Sequence, residues 1–532
     1  MAERTEEVFV VADAGEARET PEVMGFKAYN LLRMARIGLS VPAAFVLGTP
    51  FCRDYFGRGG RLAPGMRELM AKNIRRLEAA SGTGFGSARR PLLVSVRSGA
   101  PVSMPGMMDT LLNVGLCDGV LRGMLRMTGN PRLVWDSYRR LIQSFAEVVE
   151  GLPGEPFQAA MNVRVRRERV ASAQDLDFKT LEGLAAEYLE LFRELTGHAF
   201  PQEPLDQLEA GTEAVFRSWR SPRACAYRRM AGIDDALGTA VTVQRMVFGN
   251  SGGTSGAGVA FTRDPATGAS ELYLDFASNA QGEDVVSGRH SLREPNVLAD
   301  ILPQAYEDIL AVRAKLESEF ADAQEFEFTV QDGRLYLLQT RSGKRTALAA
   351  LRIAVDMVRE GLIGPQQALA RLEGIDLAAI RDRRVAAGAP PALCRAVPAS
   401  IGVATGEIAL DAARAEERAA AGAAVILVRG EMATEDVAGI ESARGILTAA
   451  GSRTSHAAVV ARQLDRVCLV ACEALRIDME ARRCAIAGRQ FREGEVITLD
   501  GRSGEVYAGA VETLDEPPRE YLAEVARWRA AR

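Results

Sequence analysis

The chain has 532 residues, which is too long for one compact core and predicts roughly three or four domain-sized units. Its 65 Lys and Arg residues nearly balance 70 Asp and Glu residues, and this net charge of −5 excludes the basic stripe that nucleic-acid binding requires. The start, MAERTEEVFVVADAG, lacks a signal-peptide pattern, and no apolar run approaches the roughly 18 residues of a membrane span, so we expect a cytoplasmic protein without a membrane partner.

The first third of the chain predicts an α/β unit followed by helices. GFKAYNLLRMARIGLSVPAAFVL, from Gly25, gives a helix, a breaker and a short strand. PLLVSVR, at 91–97, predicts an apolar strand, and the SGAPVSMPGMMDT that follows predicts a loop that lines a site. Long amphipathic patterns between 130 and 225 then indicate a helical insertion.

The next segment combines glycines with strand patterns. TAVTVQRMVFGNSGGTSGAGVAFTRDPATG, from 239, predicts two strands that form a hairpin around a flexible glycine-rich tip. Such a tip lets backbone amides approach a phosphate closely, but glycine-rich hairpins are also ordinary surface turns. The sequence alone leaves both interpretations open.

A second hairpin is predicted in QEFEFTVQDGRLYLLQTR, with its tight turn at Asp332-Gly333. Glu325 and Glu327 then lie on one face of a strand, because side chains two apart share a face. Two neighbouring carboxylates repel each other, so either a bound cation or solvent at an exposed sheet edge must reduce this repulsion.

Beyond residue 345 the pattern changes again. Helical segments lead into AAGAPPALCRAVPAS, whose composition predicts a linker and a domain boundary near 395. Short strands that alternate with helices then predict a compact α/β domain, and the chain ends in an amphipathic helix. The seven scattered cysteines do not suggest a disulfide framework, and Cys468 and Cys472 in VCLVAC indicate a buried strand rather than a metal site.

His456 is one of only three histidines in the chain. It follows a loop of small residues and begins the helical pattern HAAVVARQL, where Thr454 or Ser455 is available as the N-cap. A phosphoryl group on an imidazole at a helix N-terminus would meet the positive end of the dipole and free N–H groups. A covalent phosphate carrier therefore competes with an ordinary core or surface histidine, and a metal ligand is the weaker interpretation.

Lys27, Arg97, the glycine-rich segment and the Glu325/Glu327 pair together form the set that phosphoryl transfer from ATP requires. Cations bind the phosphates, backbone amides enclose them, and carboxylates hold Mg²⁺.

Several collinear stretches closely resemble the pyruvate, phosphate dikinase family. They are SVRSGAPVSMPGMMDTLLNVGL, AVFRSWRSPRACAYRRM, MVFGN with GTSGAGVAFTRDPATG, NAQGEDVV, LQTRSGKRTALAAL and TSHAAVVAR. The resemblance implies an α/β multidomain protein with an ATP-grasp nucleotide-binding domain over 1–345, whose residues 113–225 are a largely helical insertion. It further implies a helical linker over 346–395, a swivelling phosphohistidine domain over 396–512 and a C-terminal linker helix over 513–532.

The resemblance also implies a transferase, a kinase that uses ATP and Mg²⁺. In that family, ATP and inorganic phosphate react with a histidine to give AMP, pyrophosphate and phosphohistidine. Carried across by motif, the resemblance implies that His456 is the phosphoryl carrier, that Lys27 and Arg97 contact the ATP phosphates, and that Glu325 and Glu327 bind the metal. It also implies that Gln339 and Arg341 line the same ATP and metal site. The phosphate loop would be Gly253, Thr254 and Ser255, and the adenine contacts would be Gln244, Met246 and Val247.

This chain departs from the family pattern at several positions. Glu325 stands where the family usually has Asp, and Gly253 stands where its phosphate loop has Glu. Arg453 resembles the related phosphoenolpyruvate synthase, whose phosphate acceptor is water; Arg453 could pair with a phosphoryl oxygen or simply be solvated. Because SVRSGAPVSMPGMMDT is dikinase-like, we expect inorganic phosphate to be the co-substrate.

The family's (β/α)₈ barrel for pyruvate or phosphoenolpyruvate has no counterpart in this sequence. We therefore expect His456 to pass its phosphoryl group to an acceptor on a separate chain, or to a small molecule, in a protein that could form a homodimer. The alternatives are a small-molecule kinase such as rifampicin phosphotransferase and a non-catalytic regulatory homologue. Phosphorylation of Thr454 would place like charge beside the carrier and block transfer.

Overall fold

A computed structural model describes residues 8–11, 19–102, 104, 108–282, 285, 297–432 and 436–531, and of His456 and Ala457 it describes the backbone alone. Parts of the predicted SGAPVSMPGMMDT loop and of NAQGEDVV lie outside the described residues. Compactness divides the chain into a first unit, residues 1–252 with 336–339, and a second unit, residues 253–335 with 340–532. The fold class is confirmed as α/β and multidomain.

The first unit is built on an antiparallel sheet with the strand order β1-β2-β7-β5-β6, and β3 and β4 form a small parallel pair. Its central strands consist of consecutive buried residues because helices cover them. The strands are β1 (Val8–Val10), β2 (Ala44–Leu47), β3 (Gly84–Phe85), β4 (Pro91–Leu92), β5 (Val94–Gly99), β6 (Thr110–Val114) and β7 (Ala240–Arg245).

The helices of the first unit fall before β5 or in the long segment between β6 and β7. That segment begins α6 with Pro131 after Asn130, whose side chain accepts a hydrogen bond from the Leu133 N–H, so the helix starts where the sequence predicts. The helices are α1 (Pro21–Met24), α2 (Phe26–Arg36), α3 (Thr49–Gly57), α4 (Met66–Ser81), α5 (Asp118–Thr128), α6 (Pro131–Val148), α7 (Glu155–Glu168), α8 (Phe178–Thr196), α9 (Pro204–Ser218) and α10 (Pro222–Ala231).

The second unit begins with an antiparallel sheet in the order β11-β10-β8-β9. The predicted turn at Asp332-Gly333 is present, and both residues have positive φ, 51° and 78°, as a type I′ hairpin turn requires. The elements of this region are β8 (Gly256–Phe261), β9 (Tyr273–Ser278), α11 (Val297–Ile301), α12 (Pro303–Phe320), β10 (Gln324–Gln331) and β11 (Arg334–Ser342).

The predicted hairpin around the glycine-rich segment is wrong. β7 belongs to the five-stranded sheet and β8 to the four-stranded sheet, where it pairs with β9 and β10. The glycine-rich segment therefore joins two sheets instead of turning between paired strands. Two adjacent apolar runs do not define their partners, because strand pairing depends on chain segments far away in sequence.

The segment after β11 contains helices whose apolar faces pack against the C-terminal helix. Val525 and Trp528 of that helix join a cluster with Leu351 and Val355. A short antiparallel pair of strands, β12 with β24, lies in the same unit. These elements are α13 (Ala347–Arg359), α14 (Pro365–Arg371), β12 (Asp382–Val385), and, at the end of the chain, β24 (Thr513–Glu516) and α18 (Arg519–Ala530).

The remaining residues form an eight-stranded sheet in the order β13-β23-β22-β15-β16-β17-β18-β14, with helices against it and a three-stranded sheet, β19-β20-β21, beside it. β15, β16, β17 and β18 run parallel, and the α/β pattern predicted there is present. The elements are β13 (Cys394–Arg395), β14 (Val397–Ser400), β15 (Val403–Ala409), α15 (Ala412–Ala420), β16 (Val425–Arg429), α16 (Val437–Ser442), β17 (Gly445–Thr448), α17 (His456–Gln463), β18 (Val467–Val470), β19 (Leu475–Asp478), β20 (Arg483–Ile486), β21 (Arg489–Arg492), β22 (Val496–Asp500) and β23 (Glu505–Ala508).

The boundaries predicted at 345, 395 and 512 stay predictions, because a division into two compact units does not test them. None of the helices in the described part of the chain has both the length and the apolar character that crossing a membrane requires.

Candidate active site

The two predicted phosphate-binding cations, Lys27 and Arg97, come together in the first unit. Gly25 permits this, because a Cβ at its position would lie 2.0 Å from the backbone oxygen of Gly99, and its φ is 76°. The Phe26 N–H also donates to the Ala100 oxygen at 2.9 Å. The start of α2, with Lys27 in its first turn, is thereby held at the end of β5, the strand that carries Arg97.

The sheet register places further polar side chains beside Arg97. Arg97 pairs with Thr242 and Ser95 pairs with Gln244, so all four lie on one face of the sheet. Nη1 of Arg97 donates to Oε1 of Gln244 at 3.4 Å. Thr242 was missed from the sequence; its buried hydroxyl lines the pocket and has no hydrogen-bond partner.

Gln339 joins the same pocket. The Leu337 N–H donates to the Ser40 oxygen at 2.8 Å, and this contact holds residues 336–339 in the first unit. These residues line a small, partly open pocket. Its lining contains two cations and, among the described residues, no carboxylate: Lys27, Ala28, Leu31, Arg97, Ser98, Thr242, Gln244, Leu338 and Gln339. Such a lining favours an anionic ligand.

Met246 and Val247, predicted to contact adenine, directly follow β7 in the first unit and are both half-buried. The Met246 N–H donates to the Leu93 oxygen at 2.9 Å, so the chain continues beside the neighbouring strand after β7 ends. Their predicted contact with a nucleotide stays a prediction.

The predicted metal-binding acids lie in the second unit. Glu325 is 5% exposed, so the alternative of a solvated edge residue is wrong; β10 is an interior strand of its sheet. Nη2 of Arg341 donates to Oε1 of Glu325 at 2.5 Å. Burial alone would lower the pKa of Arg341, but the carboxylates of Glu325 and Glu327 raise it.

The second oxygen of Glu325, Oε2, is buried without a hydrogen-bond partner. Leaving a carboxylate oxygen unsatisfied is costly, and a bound cation would remove that cost. No cluster of three or more His, Cys, Asp or Glu side chains occurs in the described residues, but Mg²⁺ in nucleotide sites commonly takes one or two carboxylates, with substrate phosphates and water as its other ligands. Glu325 and Glu327 fit that requirement.

The predicted phosphate loop, Gly253 to Ser255, begins the second unit. The Ser255 hydroxyl accepts a hydrogen bond from the Asp332 N–H at 2.9 Å, and the Thr254 oxygen accepts one from the Gly333 N–H at 2.8 Å. These bonds fasten one end of the loop to the tight turn between β10 and β11. Gly253 and Thr254 themselves remain exposed.

His456 is the first residue of α17, as predicted, and Ser455 occupies the N-cap position. The Ser455 side chain makes no capping hydrogen bond, and its hydroxyl is buried without a partner. The Thr454 hydroxyl instead lies 3.2 Å from that of Ser452. The position of the helix start is therefore confirmed, while neither candidate side chain caps it.

Arg453 is not solvated. Its side chain is 16% exposed; Nε donates to Oδ1 of Asp275 at 3.3 Å, and Nη2 donates to the Leu274 oxygen at 2.9 Å. Its guanidinium also lies 4.2 Å from the ring centroid of Tyr273. Burial alone would lower the pKa of Arg453, but Tyr273 and Asp275 raise it.

Asp275 and Arg462 are the residues in this region that the sequence did not single out. Oδ2 of Asp275 accepts a hydrogen bond from the Thr454 N–H at 3.1 Å, so one carboxylate on β9 holds two residues of the loop before His456. Arg462 is 1% exposed and donates to the backbone oxygens of Ala399 and Arg453 at 2.9 and 2.8 Å. Arg462 ends the motif TSHAAVVAR, and its place in that motif is the sequence signal from which a role near His456 could have been predicted.

Comparison with known proteins finds two matching domain families in this chain. Residues 62–303 match the family described as pyruvate phosphate dikinase, AMP/ATP-binding domain, and residues 422–504 match the PEP-utilising enzyme, mobile domain. Pyruvate, phosphate dikinase of Clostridium symbiosum is 43% identical over 510 residues, which is 95% of this chain. Over most of its own length, the chain is similar to the pyruvate, phosphate dikinases.

Two further relatives carry the same name. The protein from Rhizobium meliloti is 40% identical over 98% of this chain, and pyruvate, phosphate dikinase 2 of Zea mays is 43% identical over 92%. The chain spans 58%, 60% and 56% of the lengths of the Clostridium, Rhizobium and Zea proteins. The resemblance seen in the sequence is thus confirmed for the nucleotide-binding and mobile domains.

Proposed function

We propose that this chain is an ATP-dependent phosphotransferase of the pyruvate, phosphate dikinase type that phosphorylates its own His456. The observation that carries the proposal is the first-unit pocket, where Lys27 and Arg97 converge without a carboxylate among the described lining residues. A polyphosphate suits that charge pattern. The matched AMP/ATP-binding domain supports a nucleotide as the source of the phosphoryl group.

In the proposed reaction, ATP, inorganic phosphate and His456 give AMP, pyrophosphate and phosphohistidine. Lys27 and Arg97 bind phosphate oxygens, and Gln244, Gln339, Met246 and Val247 position the nucleotide. Gly253, Thr254 and Ser255 supply amides to the phosphates, and Arg341 holds Glu325 in place. A Mg²⁺ ion held by Glu325 and Glu327 would neutralise charge on the phosphates.

His456 suits the role of carrier for chemical reasons. A neutral imidazole nitrogen is a nucleophile that forms a covalent bond to phosphorus. The free N–H groups at the start of α17 favour negative charge beside it. The loaded carrier then passes its phosphoryl group to an acceptor on a separate chain, for which pyruvate is our first candidate.

The proposal is tested by incubating the full chain with ATP labelled at the β-phosphate, Mg²⁺ and inorganic phosphate. We expect protein-bound label that is stable in base, labile in acid and lost in His456→Ala. The matched control is His198→Ala, because His198 is exposed and lies in the first unit. Absence of label in the unchanged protein would refute the proposal and support a regulatory homologue.

The same assay distinguishes phosphate from water as the second substrate. If phosphate is the co-substrate, AMP formation requires phosphate and pyrophosphate accumulates. Phosphate-independent release of AMP and inorganic phosphate would support the synthase-like alternative. Adding pyruvate with candidate acceptor chains to the labelled protein identifies the acceptor, and label transferred to a small molecule by this chain alone would support the small-molecule kinase.

The homodimer and the cytoplasmic location stay predictions.

A further inference from the structure

Two cysteines that the proposed reaction does not use lie side by side in the second unit. Cys394 is in β13, Cys472 follows β18, and their sulfur atoms are 3.7 Å apart although 78 positions separate them in sequence. Cys472 is fully buried, whereas Cys394 is half-buried. One thiol of the pair is therefore closer to solvent than the other.

The backbone holds both thiols at this distance. The Leu393 and Ala396 N–H groups, on either side of Cys394, donate to the oxygens of Val506 and Gly504 at 2.7 and 2.9 Å. The Cys472 N–H donates to the Thr448 oxygen at 2.9 Å. A disulfide bond is about 2.05 Å long, so the two sulfurs must approach by about 1.6 Å when the bond forms.

The contact between the two thiols shifts their pKa values in opposite directions. A hydrogen bond from the Cys394 thiol lowers the pKa of Cys472, although burial opposes this effect, and the backbone N–H groups of Ala474 and Leu475 lower it further. The same hydrogen bond, together with burial, raises the pKa of Cys394. Cys468 differs, because burial raises its pKa to about 12.

We propose that Cys394 and Cys472 form a reversible disulfide when the protein meets a hydroperoxide, and that this bond slows phosphorylation of His456. One of the two thiols attacks a peroxide oxygen as its thiolate, an S–O bond forms, the O–O bond breaks and hydroxide leaves. The sulfur of the other thiol then attacks the oxidised sulfur, an S–S bond forms, the S–O bond breaks, and the leaving hydroxide takes up the proton of the second thiol as water. Overall, two thiols and one hydrogen peroxide give one disulfide and two waters.

The bond would act on the loop that precedes His456. Cys472 is tied to Thr448 through its backbone, and the Thr448 hydroxyl donates to the Ala450 oxygen at 2.5 Å. Ala450 lies in the loop between β17 and the helix that begins at His456. Pulling Cys472 towards β13 therefore strains the start of that loop, and displacements of about 1 Å in a reacting group are enough to slow a reaction. This consequence rests on the proposed function, whereas formation of the bond does not.

The chemical test treats the full chain with a few equivalents of hydrogen peroxide, blocks the remaining thiols with iodoacetamide and maps cross-linked peptides by mass spectrometry. We expect one cross-linked pair, Cys394 with Cys472, that dithiothreitol removes. It should persist in Cys468→Ala, which is the control for a buried thiol in β18. No cross-link between Cys394 and Cys472 would overturn the proposal, whether or not His456 is phosphorylated.

The functional test measures the initial rate of His456 labelling before and after oxidation. We expect oxidation to slow His456 labelling by roughly tenfold or more, and we expect dithiothreitol to restore the rate. In the Cys394→Ser variant, the labelling rate should be the same before and after oxidation. An unchanged rate in the cross-linked protein would overturn the regulatory part of the proposal. Absence of labelling in the reduced protein would instead refute the proposed function, and the cross-link would still be decided by mass spectrometry.

Discussion

Asp275 is a buried carboxylate that holds the loop in front of His456 against β9. It is 3% exposed and accepts hydrogen bonds from Nε of Arg453 and from the Thr454 N–H, at 3.3 and 3.1 Å. Asp275→Asn keeps the size of the side chain but removes its charge and presents an amide group to one of the two donors. Breaking a buried ion pair costs about 3 kcal/mol. This free energy amounts to roughly a hundredfold change in the equilibrium constant for opening of the loop in front of His456.

Hydrogen exchange measures this effect directly, because the Thr454 amide is itself one of the two donors. We expect it to exchange about a hundredfold faster in Asp275→Asn, and we expect the rate of His456 labelling to change with it. Glu271→Gln is the matched control, since Glu271 is an exposed carboxylate nearby in the same chain segment.

A double-mutant cycle with Arg453→Met separates the ion pair from general loosening of the loop. The structure predicts a coupling energy of about 1 to 3 kcal/mol between Asp275 and Arg453. Strictly additive effects, or unchanged exchange of the Thr454 amide in Asp275→Asn, would refute the reasoning.

Three further predictions follow from single buried groups. Glu325→Gln should lower Mg²⁺-dependent His456 labelling at least a hundredfold, and an unchanged Mg²⁺ titration would contradict a metal site there. Thr242→Val should raise the melting temperature of the ligand-free protein by about 2 °C, because it removes an unpaired hydroxyl, but should weaken ATP binding about tenfold; Thr242→Ser should bind normally. Burial would raise the pKa of Asp136, but Arg139 and Arg140 outweigh burial and lower that pKa to about 2. The ionised Asp136 therefore contributes about 2 kcal/mol to the free energy of unfolding above pH 4, and this contribution is lost as the pH falls towards 2. Asp136→Asn should abolish this pH dependence of unfolding.

Local patterns predicted the elements of the site well. The Asp332-Gly333 turn, the strand that carries Glu325 and Glu327, and the helix that begins at His456 are all present as expected. Each depends on residues within a few positions of one another, where backbone preference and hydrophobic period act directly.

The errors concern contacts between distant segments. β7 and β8 were expected to pair, but each pairs with strands that come from elsewhere in the chain. The contact of Asp275 with Thr454 joins positions 179 apart, and nothing in a local pattern indicates it. Likewise, the Thr242 hydroxyl becomes noteworthy only once the register places it beside Arg97. Long-range pairing is set by global packing, which periodicity does not encode.

Arg453 shows why such contacts matter for the proposed chemistry. As a sequence feature it resembled the related phosphoenolpyruvate synthase, whose phosphate acceptor is water, and its side chain could either pair with a phosphoryl oxygen or be solvated. In the structure its guanidinium contacts Asp275, the Leu274 oxygen and the ring of Tyr273. To bind a phosphoryl oxygen through Nε, the arginine would first have to leave a buried carboxylate, at a cost of about 3 kcal/mol. Its identity therefore gives no independent support for water, and the dependence of AMP formation on inorganic phosphate has to decide between the two acceptors.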